Sequence, residues 1–143
     1  KFARYVSWPP ASRPAPGAPI QLCIIGNDSF GRLIDQAAAG QSVEQHPIAI
    51  RRLASTGQAA GCHVAFVNGG NEKSTAAMLA ALQTRPVLTV TDGRTRAVRG
   101  MIHFTLHQGR VRFYVDAAAA AQAKLTIDSR LLGIALAVKE RRS

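Results

Sequence analysis

The chain has no apolar run near the ~20 residues that a bilayer-spanning helix needs, so no membrane span is expected. Its opening stretch, Lys1 to Trp8, has no signal-peptide architecture either. A chain that starts on an aromatic-rich helical pattern with no cap before it reads as a mature or trimmed one. Acidic residues are scarce: eight Asp and Glu in 143 residues. Asp28, Asp92, Asp116 and Asp128 sit where caps or turns explain them, which leaves little for paired-carboxylate catalysis. GxGxxG and the Walker lysine are absent, and Ser29 has no GxSxG setting. The two cysteines, Cys23 and Cys62, lack a CxxC partner or a suitably spaced histidine pair, which excludes a zinc site. On composition they are either buried small hydrophobes or one disulfide. Aromatic residues make up 6% of the chain, and no aromatic-interleaved run resembles a single-strand stacking platform. These absences argue against an enzyme, a bound cofactor, a metal or a nucleic-acid partner.

What is abundant is positive charge. Lysine and arginine number 18, giving a formal charge of +10. They are scattered through Arg51-Arg52, Arg94-Arg96-Arg99, Arg110-Arg112 and Lys139 to Arg142. Such a field suits an anionic membrane surface, an acidic partner or plain solubility.

The clearest local pattern is MIHFTLHQGRVRFYVD, Met101 to Asp116. Ile102, Phe104 and Leu106 alternate with Met101, His103, Thr105 and His107; beyond Gln108-Gly109, Val111, Phe113 and Val115 alternate with Arg110, Arg112 and Tyr114. Period two on both sides of a short glycine turn predicts an amphipathic β-hairpin with one polar face. A polar face of this kind is either a solvated surface or a docking surface.

Along the rest of the chain, Phe2, Tyr5 and Val6 fall at helical spacing before Trp8-Pro9-Pro10, which predicts the last turns of a helix stopped by proline. Pro9 to Pro19 reads as a stiff connector. Strands are expected at Ile20 to Ile25, Ile48 to Leu53, His63 to Val67 and Val87 to Val90. A helix capped by Asn27 or Asp28 should run to about Ala39 and end at Gly40. Asn71 should cap a second helix carrying Ala77, Met78, Leu79 and Leu82, and Asp116 an alanine-rich third. A last helix after Asp128 would turn Leu131, Leu132, Ala135 and Val138 inward. This order predicts one domain, 1–143, of the α/β class: a three-layer Rossmann- or flavodoxin-like sheet, mainly parallel, with the hairpin as an antiparallel edge.

Gly26-Asn27-Asp28-Ser29-Phe30-Gly31 and Gly69-Gly70 occupy strand-to-helix turns where α/β sheets bind phosphates. An aspartate at the helix start repels an anion, so an N-cap is the simpler reading. His103 and His107 lie about 13 Å apart on a strand, too far to share one ion. His63, in an apolar strand, reads as a hydrogen-bonded core histidine. His46 precedes a proline in a loop.

FARYVSWP (Phe2 to Pro9), LCIIGNDSFG (Leu22 to Gly31), GCHVAFV (Gly61 to Val67) and the segment from GMIHF to SRLL (Gly100 to Leu132), in that order, resemble the YfiR-like family. The resemblance covers nearly the whole chain. It implies a small periplasmic α/β protein, made with a signal peptide and a further N-terminal helical stretch, and non-catalytic. It further implies a homodimer that represses a membrane-anchored diguanylate cyclase through the cyclase's periplasmic domain, lowering cyclic di-GMP and biofilm formation. An oxidising compartment, with first and third strands adjacent in a flavodoxin-like sheet, implies a Cys23–Cys62 disulfide. Arg110, Arg112 and Tyr114 on the hairpin, with Arg130 near the last helix, are expected to face the partner. Phe2, Tyr5 and Trp8 are expected at a dimer interface. The alternatives are a periplasmic small-ligand-sensing or transport-accessory domain and, behind it, a degenerate nucleotide-binding enzyme.

Overall fold

A computed structural model describes residues 6–27, 35–36, 39–43, 45–93, 98–128 and 137–139, without the side chains of 106, 107, 110, 111 and 137–139. Described strands are β1 (Val6–Ser7), β2 (Ile20–Gly26), β3 (Ser42–Val43), β4 (His46–Leu53), β5 (Val64–Asn68), β6 (Leu88–Asp92), β7 (Ile102–His107), β8 (Arg110–Asp116), β9 (Thr126–Ile127) and β10 (Ala137–Lys139). Helices are α1 (Glu72–Leu82) and α2 (Ala117–Gln122).

Eight strands form one sheet in the order β10-β8-β7-β6-β5-β2-β4-β3. β2 pairs parallel with both β4 and β5, and β5, β6 and β7 continue in parallel. The stretch β4-β2-β5-β6-β7 therefore follows the order 2-1-3-4-5 of doubly wound sheets. The fold is mixed α/β and mostly parallel, with few helices among the described residues.

Both faces of the central strands are apolar, as parallel strands between layers require. On one face Cys23, Ile25, Ala65 and Val67 pack with Leu82, Met78 and Leu79 of α1. On the other, Val64, Leu88, Val90 and Ile102 pack with Val6, Trp8, Ala120, Ala123 and Leu125. The cover on this second face comes from α2 and the antiparallel β1–β9 ribbon, in which Val6 pairs with Ile127. A helical layer on that face is thus not what the described residues show.

Three sequence expectations are corrected. Val6–Ser7 is strand and not the end of a helix. Trp8 precedes Pro9, whose ring drives the preceding residue to extended backbone, and the chain enters the connector extended. Ala137–Lys139 is strand, parallel to β8 with Val138 opposite Val115, where the last helix was expected. The backbone of β8 beyond the hairpin would otherwise be an unpaired edge, and β10 satisfies it. Over Tyr114–Asp116 the hairpin is consequently internal to the sheet, while Arg110–Phe113 keeps the expected edge position among the described residues. Leu131, Leu132 and Ala135 lie outside the described residues, as does most of the helix expected before Gly40.

The remaining elements follow their local signals. Asn71 accepts a hydrogen bond from the Ser74 amide at 2.8 Å and caps α1. Asp116 accepts from the Ala119 amide at 3.0 Å and caps α2. At the hairpin turn Gln108 and Gly109 have φ of 52° and 76°, the positive pair of a type I′ turn. The proline connector makes a single 3-10 turn at Pro10–Ser12 and lies along the amino ends of the strands.

Candidate functional site

The hairpin register places Phe104 opposite Phe113 and Ile102 opposite Val115, with His103 opposite Tyr114 and Thr105 opposite Arg112. The two faces of the alternation are therefore separated as its period demands. Arg112 is exposed. Tyr114 is half-buried, because the Arg99 guanidinium carbon sits 4.2 Å from its ring centroid and the His103 ring lies 6.3 Å away, tilted by 43°. A guanidinium over a phenol ring gains cation–π energy and holds both groups in one orientation.

His103 departs from expectation. It belongs to the polar set, yet only 3% of it is exposed. Its Nδ1 lies 2.7 Å from Thr91 Oγ1, which also accepts the Gly100 amide at 2.8 Å. Thr89 Oγ1 accepts the Met101 amide at 3.0 Å. The two threonines of β6 thus satisfy the backbone that crosses over to β7, while Thr91 and the Tyr114 ring lie against His103. Burial, and then the Arg99 charge, push its pKa below the ordinary 6.5, with Asp92 opposing. The ring is a neutral, structural part of the site. Arg99 and Thr91 went unrecognised in the sequence; the alternating threonines of LTVTD in an apolar strand were the available signal.

His63 is the core histidine that its setting suggests. Its Nδ1 accepts the Gln21 amide at 2.9 Å, and the Trp8 Nε1–H donates to the His63 carbonyl at 3.0 Å. The indole meets the imidazole edge-on, with centroids 5.9 Å apart. Trp8 is accordingly spent inside its own chain, 6% exposed, and does not contribute to an exposed aromatic stripe. Phe2, Tyr5 and Arg130 lie outside the described residues, and so does the side chain of Arg110.

The turns suspected of phosphate binding are closely filled. At the carboxyl ends of β2, β5 and β6 the crevice lined by Asn27, Asn68 and Asp92 measures about 10 Å³, space for one water. The Asn27 amide donates to the Asn68 carbonyl at 2.8 Å, and the Gly70 amide to Asn68 Oδ1 at 3.0 Å. Gly26, at φ 88°, is required there because a Cβ would land on the Asn68 carbonyl. Among the described residues no three His, Cys, Asp or Glu side chains are grouped to hold a metal, and no helix is long and apolar enough to cross a membrane.

Cys23 and Cys62 form a disulfide, with Cα atoms 6.0 Å apart. β2 and β5 are parallel neighbours, so the bridge ties the strand to the loop that enters its partner.

Fold and site define a disulfide-bonded, mixed α/β protein with a basic and aromatic hairpin surface. The sequence profile described as YfiR/HmsC-like matches residues 1–136, and the chain belongs to that family. No curated protein matches it significantly.

Proposed function

We propose that this protein is a periplasmic, non-catalytic regulator that binds and represses the periplasmic domain of a membrane-anchored diguanylate cyclase. Membership of the YfiR/HmsC-like family over residues 1–136 carries the reading. A disulfide between β2 and the loop that enters β5 accords with an oxidising compartment. The docking surface in this proposal is the polar face of the hairpin: Arg112, Tyr114 and Arg99, together with Arg110 and Arg130. Arginine and tyrosine combine contact area with directed hydrogen bonds, and an acidic partner surface would complement a chain of charge +10. Self-association as a homodimer belongs to the same reading. With Trp8 internal, it would rest on Phe2, Tyr5 and other surfaces.

The test is repression in cells. Arg99→Glu/Arg112→Glu reverses charge at two exposed positions without opening the core, whereas Tyr114→Ala would also uncover His103. The double variant, confirmed folded by circular dichroism and present in the periplasm, is expected to raise cyclic di-GMP and biofilm. Full repression by that variant removes the hairpin as the docking face. Unchanged cyclic di-GMP after deletion of the gene removes the cyclase-repressor function and leaves ligand sensing in its place.

A further inference from the structure

A second cavity lies at the opposite end of the sheet from the phosphate-type turns. It occupies about 650 Å³ at the amino ends of the strands, between the proline connector, the loop before β5 and the Arg85-Pro86 turn. Its size falls within the range of small-molecule sites. Arg13, Arg51 and Arg85 line it, from three separate segments, and among the described residues its lining includes no acidic side chain.

Each guanidinium is held by backbone carbonyls. Arg51 donates to the carbonyls of Ala60 at 3.1 Å and Gln58 at 3.3 Å. Arg13 Nε donates to the Trp8 carbonyl at 3.0 Å, and Arg85 to the Thr56 carbonyl at 3.5 Å. A carbonyl orients a guanidinium without neutralising it, and every guanidinium has five N–H donors, so each retains donors and full charge. The stem of Arg51 is half-buried beside the disulfide, its Nη1 3.9 Å from Cys62 Sγ, which restricts the side chain before any ligand arrives. Three oriented like charges around one concave space repel one another, and an anion placed among them relieves that repulsion. His63 forms part of the wall. Its Nδ1 is occupied by the Gln21 amide, and burial keeps it uncharged, so the arginines carry the recognition.

We infer that this cavity is a binding site for a small, multiply charged organic anion, of the phosphate- or polycarboxylate-bearing class, gripped by Arg13, Arg51 and Arg85. Pro14, Pro19 and Val87 supply apolar wall for the uncharged part of such a ligand. This site is remote from the hairpin surface and stands independently of cyclase repression.

Titration calorimetry and amide NMR on the disulfide-intact protein test the inference, with pyrophosphate and citrate as probes at constant ionic strength. The expected result is saturable binding of at least one probe, with the largest shifts at the amides of Gln58, Ala60 and Gly61. Arg51→Gln/Arg85→Gln should weaken that binding at least tenfold. Lys73→Gln/Lys124→Gln, which removes the same charge at exposed positions elsewhere, should change it less than twofold. Preference between the probes distinguishes the phosphate from the carboxylate source. Linear, unsaturated shifts spread over basic residues with both probes would overturn the site, as would equal losses in the two double variants. If the Arg51 variant does not fold, Arg13→Gln with the shift map of the unaltered protein decides the same question.

Discussion

At the scale of single residues, two histidines link the fold to pH. Burial lowers the pKa of both His63 and His103 below 6.5, so each is neutral in the folded protein where an unfolded chain would already begin to protonate. The unfolded state then binds more protons than the native one as pH drops below 6.5, and stability must fall across that window. Urea midpoints are expected to decline from pH 7.5 to 5.5, and His103→Gln should flatten the slope even though it lowers stability at both values. An unchanged slope would show that His103 does not contribute. Trp8 is the other decisive residue. Trp8→Ala removes a buried indole and should destabilise by about 3–5 kcal/mol in chemical denaturation. Trp8→Phe keeps a ring but removes one of two hydrogen bonds to the His63 carbonyl, which still accepts the Leu88 amide at 2.9 Å, and should cost about 0.5–1.5 kcal/mol.

Elements depend on their ends and ties. Asn71→Ala removes the cap of α1 and should lose about 1 kcal/mol, read from the denaturation midpoint. The disulfide closes a loop between residues 39 apart, which in the chain-entropy picture contributes about 4 kcal/mol. Thiol titration of the unreduced protein under denaturant should find no free thiol, and reduction should lower the midpoint correspondingly. Much at this scale was legible in the sequence. The strands at Ile20 and Val64, the caps at Asn71 and Asp116 and the hairpin turn at Gln108-Gly109 all carry local chemistry that acts over a few residues. β1, β9 and β10 were not legible, because two or three residues have no period to read and become strands only when a distant edge offers backbone partners.

For the whole molecule, the charge of +10 governs association. If the hairpin docks on an acidic partner, association should slow as salt rises from 50 to 300 mM, because exposed charges are screened beyond roughly 10 Å at 0.1 M. Surface-plasmon measurements with the partner's periplasmic domain would show this in the on-rate, and a salt-independent on-rate would argue against electrostatic docking. Sedimentation at tens of micromolar is expected to give a dimer, and a monomer would remove self-association from the proposed function.

Sequence alone determined the alternation of the hairpin, the parallel central strands, the helix caps and the family, since each depends on residue types within short windows or on the order of motifs along the chain. Tertiary structure decided which polar groups stay wet. His103 and Arg112 belong to the same polar set of one hairpin, yet the first lies buried against Thr91 and the Tyr114 ring while the second is exposed. Arg13, Arg51 and Arg85, scattered basic residues along the chain, line one cavity only because the fold brings the proline connector, the later half of β4 and the turn before β6 together. Burial and charge density are properties of neighbours in space, and a local pattern does not contain them.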